Sequence, residues 1–212
     1  MIEKIDVLAH SCVRIDAAIR MYFDPFMLQE EPHDADVVFL THDHYDHFSP
    51  EDFAKIARAD TLIIAPESIL SSLLDAGIER ESILCMNPGQ CMQVKGISVE
   101  AVHAYNLGKP FHPRENNWLG YVVEAEGQRI YVAGDTDITE ENRRVNCDIA
   151  CIPVGGTYTM NPAEAACLIN EIRPSIAVAT HFGAITGDKS DGETFASMVD
   201  EGIQVVHKLR YE

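Results

Sequence analysis

The 212-residue sequence lacks any long hydrophobic run. Its longest apolar stretches, Val37 to Leu40 and Leu62 to Pro66, fall far short of the ~20 residues that a membrane helix needs. Near the N-terminus, Glu3, Lys4 and Asp6 interrupt any apolar stretch, so the sequence shows no secretory signal. We therefore expect no membrane partner and a cytoplasmic location.

Positive charge is also scarce. Lys and Arg total 16 against 34 Asp and Glu, which gives a formal net charge of −18. A chain of this charge is repelled by phosphate backbones, so we expect no nucleic-acid partner. The same charge does not exclude a small anionic substrate, because bound divalent cations would make a reacting centre locally positive. The sequence does not indicate an oligomeric state.

Linkers, repeats and Cys-x-x-Cys pairs are absent from the sequence. Without repeats or a Ser/Gly-rich linker, 212 residues are expected to form a single domain over residues 1–212. The six cysteines have no zinc-ribbon or redox spacing, so we expect buried thiols in a cytosolic chain. The 46% of apolar and 24% of charged residues are typical of a globular protein.

Short β-branched runs alternate with single helical patterns, which predicts a mixed α/β fold. The dipeptide Glu126-Gly127 lies between two apolar runs and predicts a hairpin, so part of the sheet is expected to be antiparallel. The predicted strands are Ile5–Leu8, Cys12–Ile15, Met21–Phe23, Val37–Leu40, Leu62–Ala65, Ile83–Cys85, Cys91–Val94, Ile97–Val102, Leu119–Glu124, Arg129–Ala133, Ile149–Val154, Ile176–Ala179 and Gln204–Leu209. The predicted helices are Pro50–Arg58, Ser68–Ala76, Pro162–Ile172 and Glu193–Asp200.

Residues 41–47 read Thr-His-Asp-His-Tyr-Asp-His and follow directly after a predicted strand. A His-x-His pair at a strand end projects two imidazoles to the same side, and the next Asp-His adds a carboxylate and a third imidazole. A solvated polar loop is the alternative, but imidazoles rarely cluster without a ligand to hold them. The motif therefore predicts a metal site, and two neighbouring metals could share it.

Four other His and Asp residues follow apolar strands: His10, His103, Asp135 and His181. If the strands lie in packed sheets, the loops that carry these residues meet along one sheet edge, which is where open α/β folds place their sites. We expect these side chains to join the motif. Thr136 and Asp137 are expected to support Asp135.

These residues resemble the metallo-β-lactamase superfamily of metal-dependent hydrolases. The resemblance rests on the His42-x-His44-x-Asp46-His47 motif, the later histidines and the Gly134-Asp135-Thr136 turn, and it spans nearly the whole chain. The segments LAHSCVRID, YFDPF, IPVGGTYTMNPAEAA and ATHFGA are most similar to a branch of small cytoplasmic hydrolases related to the ascorbate-6-phosphate lactonases. The resemblance implies an α/β fold with a four-layer αββα sandwich, in which helices flank two mixed sheets.

The resemblance also implies two divalent metal ions. Imidazoles suit zinc, whereas added carboxylates make manganese or iron plausible at the second site. Asp135 stands where zinc β-lactamases carry a cysteine, which argues against antibiotic hydrolysis. The implied ligands are His42, His44 and His103 at the first metal, Asp46, His47 and His181 at the second, and Asp135 as the bridge.

Two such metals would activate a shared water as a hydroxide that attacks a carbonyl carbon or a phosphorus. We expect Asp46 to orient this nucleophile and His10 or His112 to protonate the leaving group, with a core histidine as the alternative for His10. The expected function is hydrolysis of a small, anionic metabolite, a phosphoester or a lactone. The alternative is an iron-dependent oxidoreductase on the same fold, as in superfamily members that oxidise persulfides.

The polar segment 106–117 is interpreted as a substrate lid, with an ordinary surface loop as the alternative. Its Lys109 and Arg114 form a local excess of positive charge and are expected to bind an anionic substrate. Tyr158 follows the Gly155-Gly156 pair and could donate a hydrogen bond to the substrate, although a packed tyrosine at a glycine turn is equally compatible. The turn at Asp24 is expected to fix the backbone at a strand end.

Overall fold

The computed structural model describes residues 1–211 and contains two seven-stranded sheets. The first sheet is formed by β1 (Ile5–Ala9), β2 (Cys12–Asp16), β3 (Arg20–Phe23), β4 (Val37–Phe39), β5 (Leu62–Pro66), β6 (Ile83–Met86) and β14 (Leu209–Tyr211). The second is formed by β7 (Cys91–Val94), β8 (Ile97–His103), β9 (Leu119–Ala125), β10 (Gln128–Val132), β11 (Ile149–Pro153), β12 (Ile176–Thr180) and β13 (Gln204–Val206). The helices are α1 (Pro50–Ile56), α2 (Leu70–Asp75), α3 (Pro162–Ile172) and α4 (Asp191–Met198).

Both sheets are mixed. The strand orders are β14-β1-β2-β3-β4-β5-β6 and β13-β12-β11-β10-β9-β8-β7. In each sheet, hairpin-connected antiparallel strands adjoin a parallel block, which is β3 to β6 in the first sheet and β10 to β13 in the second. Ala125 pairs with Gln128 across the turn at residues 126 and 127, which confirms the predicted hairpin.

The main core lies between the two sheets. Phe23 and Phe39 of the first sheet stack at 4.5 Å between ring centroids, and Tyr121 of the second sheet lies 5.2 Å from Phe39. Each such buried side chain contributes about 1.5–3 kcal/mol relative to an exposed one. Outside the sheets, Ile56 and Leu73 belong to a second core on the first sheet, and the apolar side chains of α3 and α4 pack on the second. The expected αββα architecture is confirmed.

The ends of the predicted elements differ from the structure in a few places. The strand predicted over Gln204–Leu209 is wrong, because β13 pairs with β12 in one sheet and β14 pairs with β1 in the other. Helix α4 begins at Asp191, two residues before the prediction, and α1 ends at Ile56, two residues early. The thiols of Cys91 and Cys167 are exposed rather than buried. No helix within residues 1–211 combines the length and apolar character of a membrane span.

Helix α3 begins and ends as predicted. Its N-cap Asn161 accepts a hydrogen bond from the Glu164 backbone, and the Glu164 carboxylate accepts one from the Asn161 backbone. Such a capping box satisfies two backbone donors that the helix itself leaves free. The helix ends at Ile172, followed by Arg173 in the left-handed region.

One edge of the sandwich is tied together by hydrogen bonds between the two sheets. The hydroxyl of Tyr121 donates to the Leu40 carbonyl at 2.7 Å, and the amide of Leu119 donates to the Thr41 carbonyl at 3.1 Å. The amide of His181 donates to the carbonyl of His10 at 3.0 Å. These bonds bring the loops that follow β1, β4 and β12 to the same edge, where the polar residues of the sequence motifs meet.

Candidate metal centre

The first group of ligating side chains, the first cluster, consists of His42, His44 and His112. Their candidate ligand atoms all lie within 4.8 Å of one another. His42 Nε2 is 3.1 Å from His44 Nδ1, and the ring centroids of His44 and His112 are 5.0 Å apart. His42 and His112 are buried, whereas His44 is partly exposed. Three imidazole nitrogens that converge in this way match the donor set of a zinc ion.

His112 reaches the first cluster from the middle of the segment between β8 and β9. Its Nδ1 donates to Asn106 Oδ1 at 2.9 Å, and its backbone carbonyl accepts from the Asn106 amide at 2.8 Å. A hydrogen bond at Nδ1 leaves the Nε2 lone pair free for a metal. Nε2 points toward the Asp135 carboxylate, 3.3 Å away.

The second cluster consists of His10, Asp46, His47 and His181, whose candidate ligand atoms also lie within 4.8 Å of one another. The Asp46 carboxylate lies at its centre. Asp46 Oδ2 is 3.2 Å from His10 Nε2, 3.7 Å from His181 Nε2 and 3.8 Å from His47 Nε2. The three imidazoles are almost fully buried, while the Asp46 side chain keeps 13% of its surface exposed. The carboxylate therefore lies on the side of the cluster that solvent reaches.

Asp135 lies between the two clusters. Its Oδ1 lies 3.2 Å from His47 Nε2. Its Oδ2 lies 3.0 Å from His181 Nε2 in the second cluster and 3.3 Å from His112 Nε2 in the first. Gly134 allows this approach, because it has φ +63° and a Cβ there would lie 2.9 Å from the Thr41 side chain. A single carboxylate thus faces both groups of imidazoles.

Asp24 supports the second cluster through a hydrogen bond with His47. His47 Nδ1 donates to Asp24 Oδ2 at 2.8 Å, while the amide and hydroxyl of Thr41 donate to the same carboxylate at 2.8 and 2.7 Å. The sequence predicted only backbone support at this turn. The structure adds the carboxylate–histidine pair that fixes the tautomer of metal-binding imidazoles.

The electrostatics differ between the clusters. Burial lowers the pKa of His42 well below its ordinary value, and it also lowers the pKa of His44. Burial acts in the same direction on His47, but Asp135 and Asp24 outweigh it and hold the pKa of His47 well above its ordinary value. Burial alone would raise the pKa of Asp135, yet the neighbouring His181 and His47 hold it well below the usual range.

The buried polar atoms at the centre fit metal ions. Within residues 1–211, Nε2 of His47, Nε2 of His112, Nε2 of His181 and Oδ1 of Asp135 are buried and have no hydrogen-bond partner. A buried polar atom without a partner costs about 1–3 kcal/mol. Imidazole nitrogens and carboxylate oxygens are the donors that zinc, manganese and iron accept, so cations between them would satisfy these atoms.

The structure does not bring His103 to either cluster, which corrects the expectation for the first metal. His103 Nε2 donates to the Arg114 carbonyl at 3.0 Å, and its Nδ1 lies 3.9 Å from the Glu141 carboxylate. His103 is the last residue of β8 and pairs with Leu119, so it stays at the base of the loop. His112, expected as a proton donor, lies beside His42 and His44 instead.

The two expected anion-binding cations are paired with carboxylates. Lys109 Nζ lies 2.5 Å from Asp137 Oδ1, and Arg114 donates to the Glu141 carboxylate at 2.9 Å. Within residues 1–211, the side chains of Thr136 and Asp137 make no hydrogen bond to Asp135. They hold the 104–118 segment instead. Tyr158 is 37% exposed.

Two residues that the sequence did not single out form hydrogen bonds with His112 and with the motif loop. Asn106 orients His112 and Ser72 donates to the motif residue Asp43 at 2.5 Å. Neither could be found from spacing, because each lies in a segment remote from the motif in sequence. The contact between Asn106 and His112 depends on how the loop folds back, which the sequence pattern does not indicate.

Comparisons with known proteins show the family to which the chain belongs. The chain matches the family model described as the beta-lactamase superfamily domain over residues 4–181. It is 30% identical to a UPF0173 metal-dependent hydrolase from Thermococcus onnurineus, in a match that covers 96% of this chain and 95% of that protein. A UPF0173 metal-dependent hydrolase from Opitutus terrae is also 30% identical, over 92% of this chain and 91% of that protein.

Solved structures share the fold. A protein from Parabacteroides distasonis named as a metal-dependent hydrolase has a TM-score of 0.81 and 28% identity, over 97% of this chain and 93% of that one. Igni18, a metallo hydrolase from Ignicoccus hospitalis, is 19% identical with a TM-score of 0.76, over 98% of this chain and 95% of that one. The chain belongs to the β-lactamase superfamily and is a metal-dependent hydrolase of that superfamily.

Proposed function

We propose that residues 1–212 form one hydrolase domain with a dinuclear centre that cleaves a small metabolite, either a phosphoester or a lactone. The first divalent ion would be held by the first cluster, and the second ion by Asp46, His47 and His181, with Asp135 between them. Zinc is the expected metal, and manganese or iron are the alternatives because carboxylates contribute to the second site.

One observation supports this proposal most directly: buried imidazole nitrogens from both clusters, without hydrogen-bond partners among residues 1–211, converge on the carboxylate of Asp135. The Nε2 atoms of His112 and His181 lie 3.3 and 3.0 Å from Asp135 Oδ2, yet neither has a hydrogen-bond partner among residues 1–211. A single ion would bind the imidazole nitrogens of only one cluster and would leave those of the other cluster buried without a partner. Two ions satisfy both.

When bound, two divalent ions polarise the substrate oxygen and bring the pKa of a shared water toward neutrality. Asp46 is the partly exposed carboxylate of the site and is placed to orient that water and accept its proton. His10 holds Asp46 through the 3.2 Å contact at Nε2, so its role is to position the carboxylate. Asn106 and Asp24 fix the imidazoles of His112 and His47.

The charge of the site favours an anionic or strongly polarised reacting group. The four positive charges of two divalent ions exceed the charge of the carboxylates of Asp24, Asp46 and Asp135, so the centre is positive. Because Lys109 and Arg114 are paired with Asp137 and Glu141, this preference depends on the metal ions themselves. The similarity to ascorbate-6-phosphate lactonases is the reason to include both phosphate esters and lactones among the substrates.

The test is a hydrolysis screen of phosphomonoesters, phosphodiesters and lactones with the zinc, manganese and iron forms of the protein. We expect turnover of at least one class that is abolished by His112→Ala and retained by the matched variant His103→Ala. No turnover of any class in any metal form would contradict the proposal. Equal losses in the two histidine variants would contradict the assignment of His112.

A further inference from the structure

Eight large hydrophobic side chains are exposed among the residues whose burial the structure describes. Two of them, Leu74 and Met198, lie on helices α2 and α4. Single exposed apolar side chains of this kind are normal on a protein surface. The other six lie in loops, and we call them the apolar rim: Met27, Tyr45, Leu107, Phe111, Tyr158 and Ile185. All except Tyr158 share a loop with a residue of the metal centre or with Asp24, which supports it.

The rim follows the metal centre along the chain. Tyr45, with 67% exposure, lies between the motif residues His44 and Asp46. Leu107 and Phe111, with 59% and 39% exposure, precede His112 in its loop. Ile185 follows His181 by four residues, and Met27 follows Asp24 by three. Every rim residue except Tyr158 therefore lies within five residues of a side chain that forms or supports the metal centre.

Contacts connect these loops around the site. The ring of Phe26 lies 6.2 Å from that of His10 and 6.0 Å from that of Tyr45. On the other side, Phe111 packs edge-on against Tyr158 at 4.6 Å between centroids. His44, in the loop of Tyr45, and His112, in the loop of Phe111, connect these two groups of contacts, since their ring centroids are 5.0 Å apart.

Further contacts fix the far side of the rim. Lys109 donates to the Thr159 carbonyl at 2.7 Å, which holds the loop of Phe111 beside that of Tyr158. Thr186 donates to the Gly155 carbonyl at 3.4 Å, so the loop of Ile185 adjoins the same segment. Tyr45 and Phe111 thus lie on loops that border the centre, and the loops of Tyr158 and Ile185 are connected to them by these contacts.

We propose that the apolar rim binds the part of the substrate that does not react, so that the enzyme prefers phosphoesters or lactones with an alkyl or aryl group. This inference rests on the proposed function, because the rim is placed around the proposed metal centre. The metal ions would attract the polar reacting group, while the rim removes the apolar group from water. Ligand sites commonly combine a few polar groups with an apolar lining in this way.

The size of the effect follows from the area that the rim can cover. A fully buried methylene group contributes a factor of about four in affinity, and a half-buried one about two. For a chain that extends over a rim exposed on its outer side, we expect about two per methylene. Octanohydroxamate, whose metal-chelating end is that of acetohydroxamate and whose chain has six more methylene groups, should therefore bind at least about tenfold more tightly.

The experiment is calorimetric binding of the two hydroxamates to the zinc-loaded protein. The double variant L107S/I185S should lower the octano-to-aceto affinity ratio at least about threefold. The matched control L74S/M198S also removes two exposed apolar side chains, but on α2 and α4, and should keep the wild-type ratio. Chain-independent affinity, absence of binding, or equal ratios in the two double variants would overturn the proposal.

A second measurement separates this inference from the proposed function. The rate constant kcat/KM is compared for γ-butyrolactone and a γ-lactone with a hexyl side chain. A tenfold or greater preference for the hexyl lactone supports the rim, and equal hydrolysis of the two overturns it while the hydrolase proposal stands. If neither lactone is cleaved but the hydroxamates show the chain-length preference, lactone cleavage fails and the rim stands.

Discussion

The two loops that form the first cluster supply their histidines in different ways. The motif loop, residues 41–47, places His42 and His44 by local geometry, with the amides of His47 and Phe48 both bonded to the His44 carbonyl at 2.9 Å. The long loop, residues 104–118, contributes a single histidine far from either end. Its ends are joined by a 2.9 Å bond from the Ala104 amide to the Trp118 carbonyl.

The long loop is held by other parts of the chain. Asp137, in the turn after β10, accepts from the Leu107 amide at 2.8 Å and pairs with Lys109. Asn106 then fixes His112 within the loop. Two of the three histidines of the first cluster are therefore built into the motif, whereas the third, His112, depends on tertiary contacts that can be removed one at a time.

The largest expected effect comes from Asp135→Ala, which removes the carboxylate that faces both loops. Loss of a supporting partner alone typically costs 10- to 100-fold in metal affinity, so loss of this shared ligand should cost more than about 100-fold. Metal content after dialysis and the rate of hydrolysis should both fall. Full metal occupancy with unchanged activity would contradict the bridging position of Asp135.

The next effect separates the two loops. Asn106→Ala should weaken metal binding about 10- to 100-fold at the first cluster, because His112 loses the acceptor for its Nδ1 proton. The second cluster should keep its affinity. Asp24→Asn is the matched variant, since it weakens the carboxylate that holds His47 at the second cluster. Competition titrations with a chelator resolve the two affinities. A loss at the same cluster in both variants would contradict the assignment of Asn106 and Asp24 to different clusters.

Acid should affect the two clusters unequally. Burial keeps the pKa of His42 and His44 below the ordinary value, so these rings are neutral near pH 7 and need not lose a proton to bind a cation. Although burial opposes it, Asp135 raises the pKa of His47 and His181, so below those pKa values a cation must displace their protons. Affinity at the second cluster should fall by up to about tenfold per pH unit for each displaced proton.

A pH series of the same chelator titrations measures this difference. The first cluster should show the shallower dependence between pH 8 and roughly 6, where ordinary histidines begin to titrate. Equal slopes for the two clusters would contradict the electrostatic asymmetry.

The smallest effect is expected from Lys109→Met. Lys109 pairs with the buried Asp137, but the Leu107 amide still donates to that carboxylate in the variant. One lost hydrogen bond typically costs about 1 kcal/mol, so binding should change by no more than about fivefold. Because the ammonium is already paired, KM should rise to a similar extent for a phosphorylated and a neutral substrate. A selective rise for the phosphorylated substrate would show that Lys109 binds the anion directly.

The sequence predicted the sheets and the motif well because both depend on local patterns. Short β-branched runs predicted thirteen strands, and only the last one, Gln204–Leu209, divides between the two sheets. The choice between His103 and His112 depends on how a long loop folds back. That path is set by Asn106 and Asp137, whose contacts lie 6 and 30 residues away in sequence, and spacing alone does not encode them.

The most direct test of the account compares metal stoichiometry in two histidine variants. Wild-type protein, loaded with zinc and dialysed, should retain about two ions per chain, as a dinuclear centre requires. His103→Ala should retain about the same number, whereas His112→Ala should retain about one. Loss of an ion in His103→Ala, with both ions kept in His112→Ala, would contradict the proposed metal centre, in which His112 rather than His103 binds an ion.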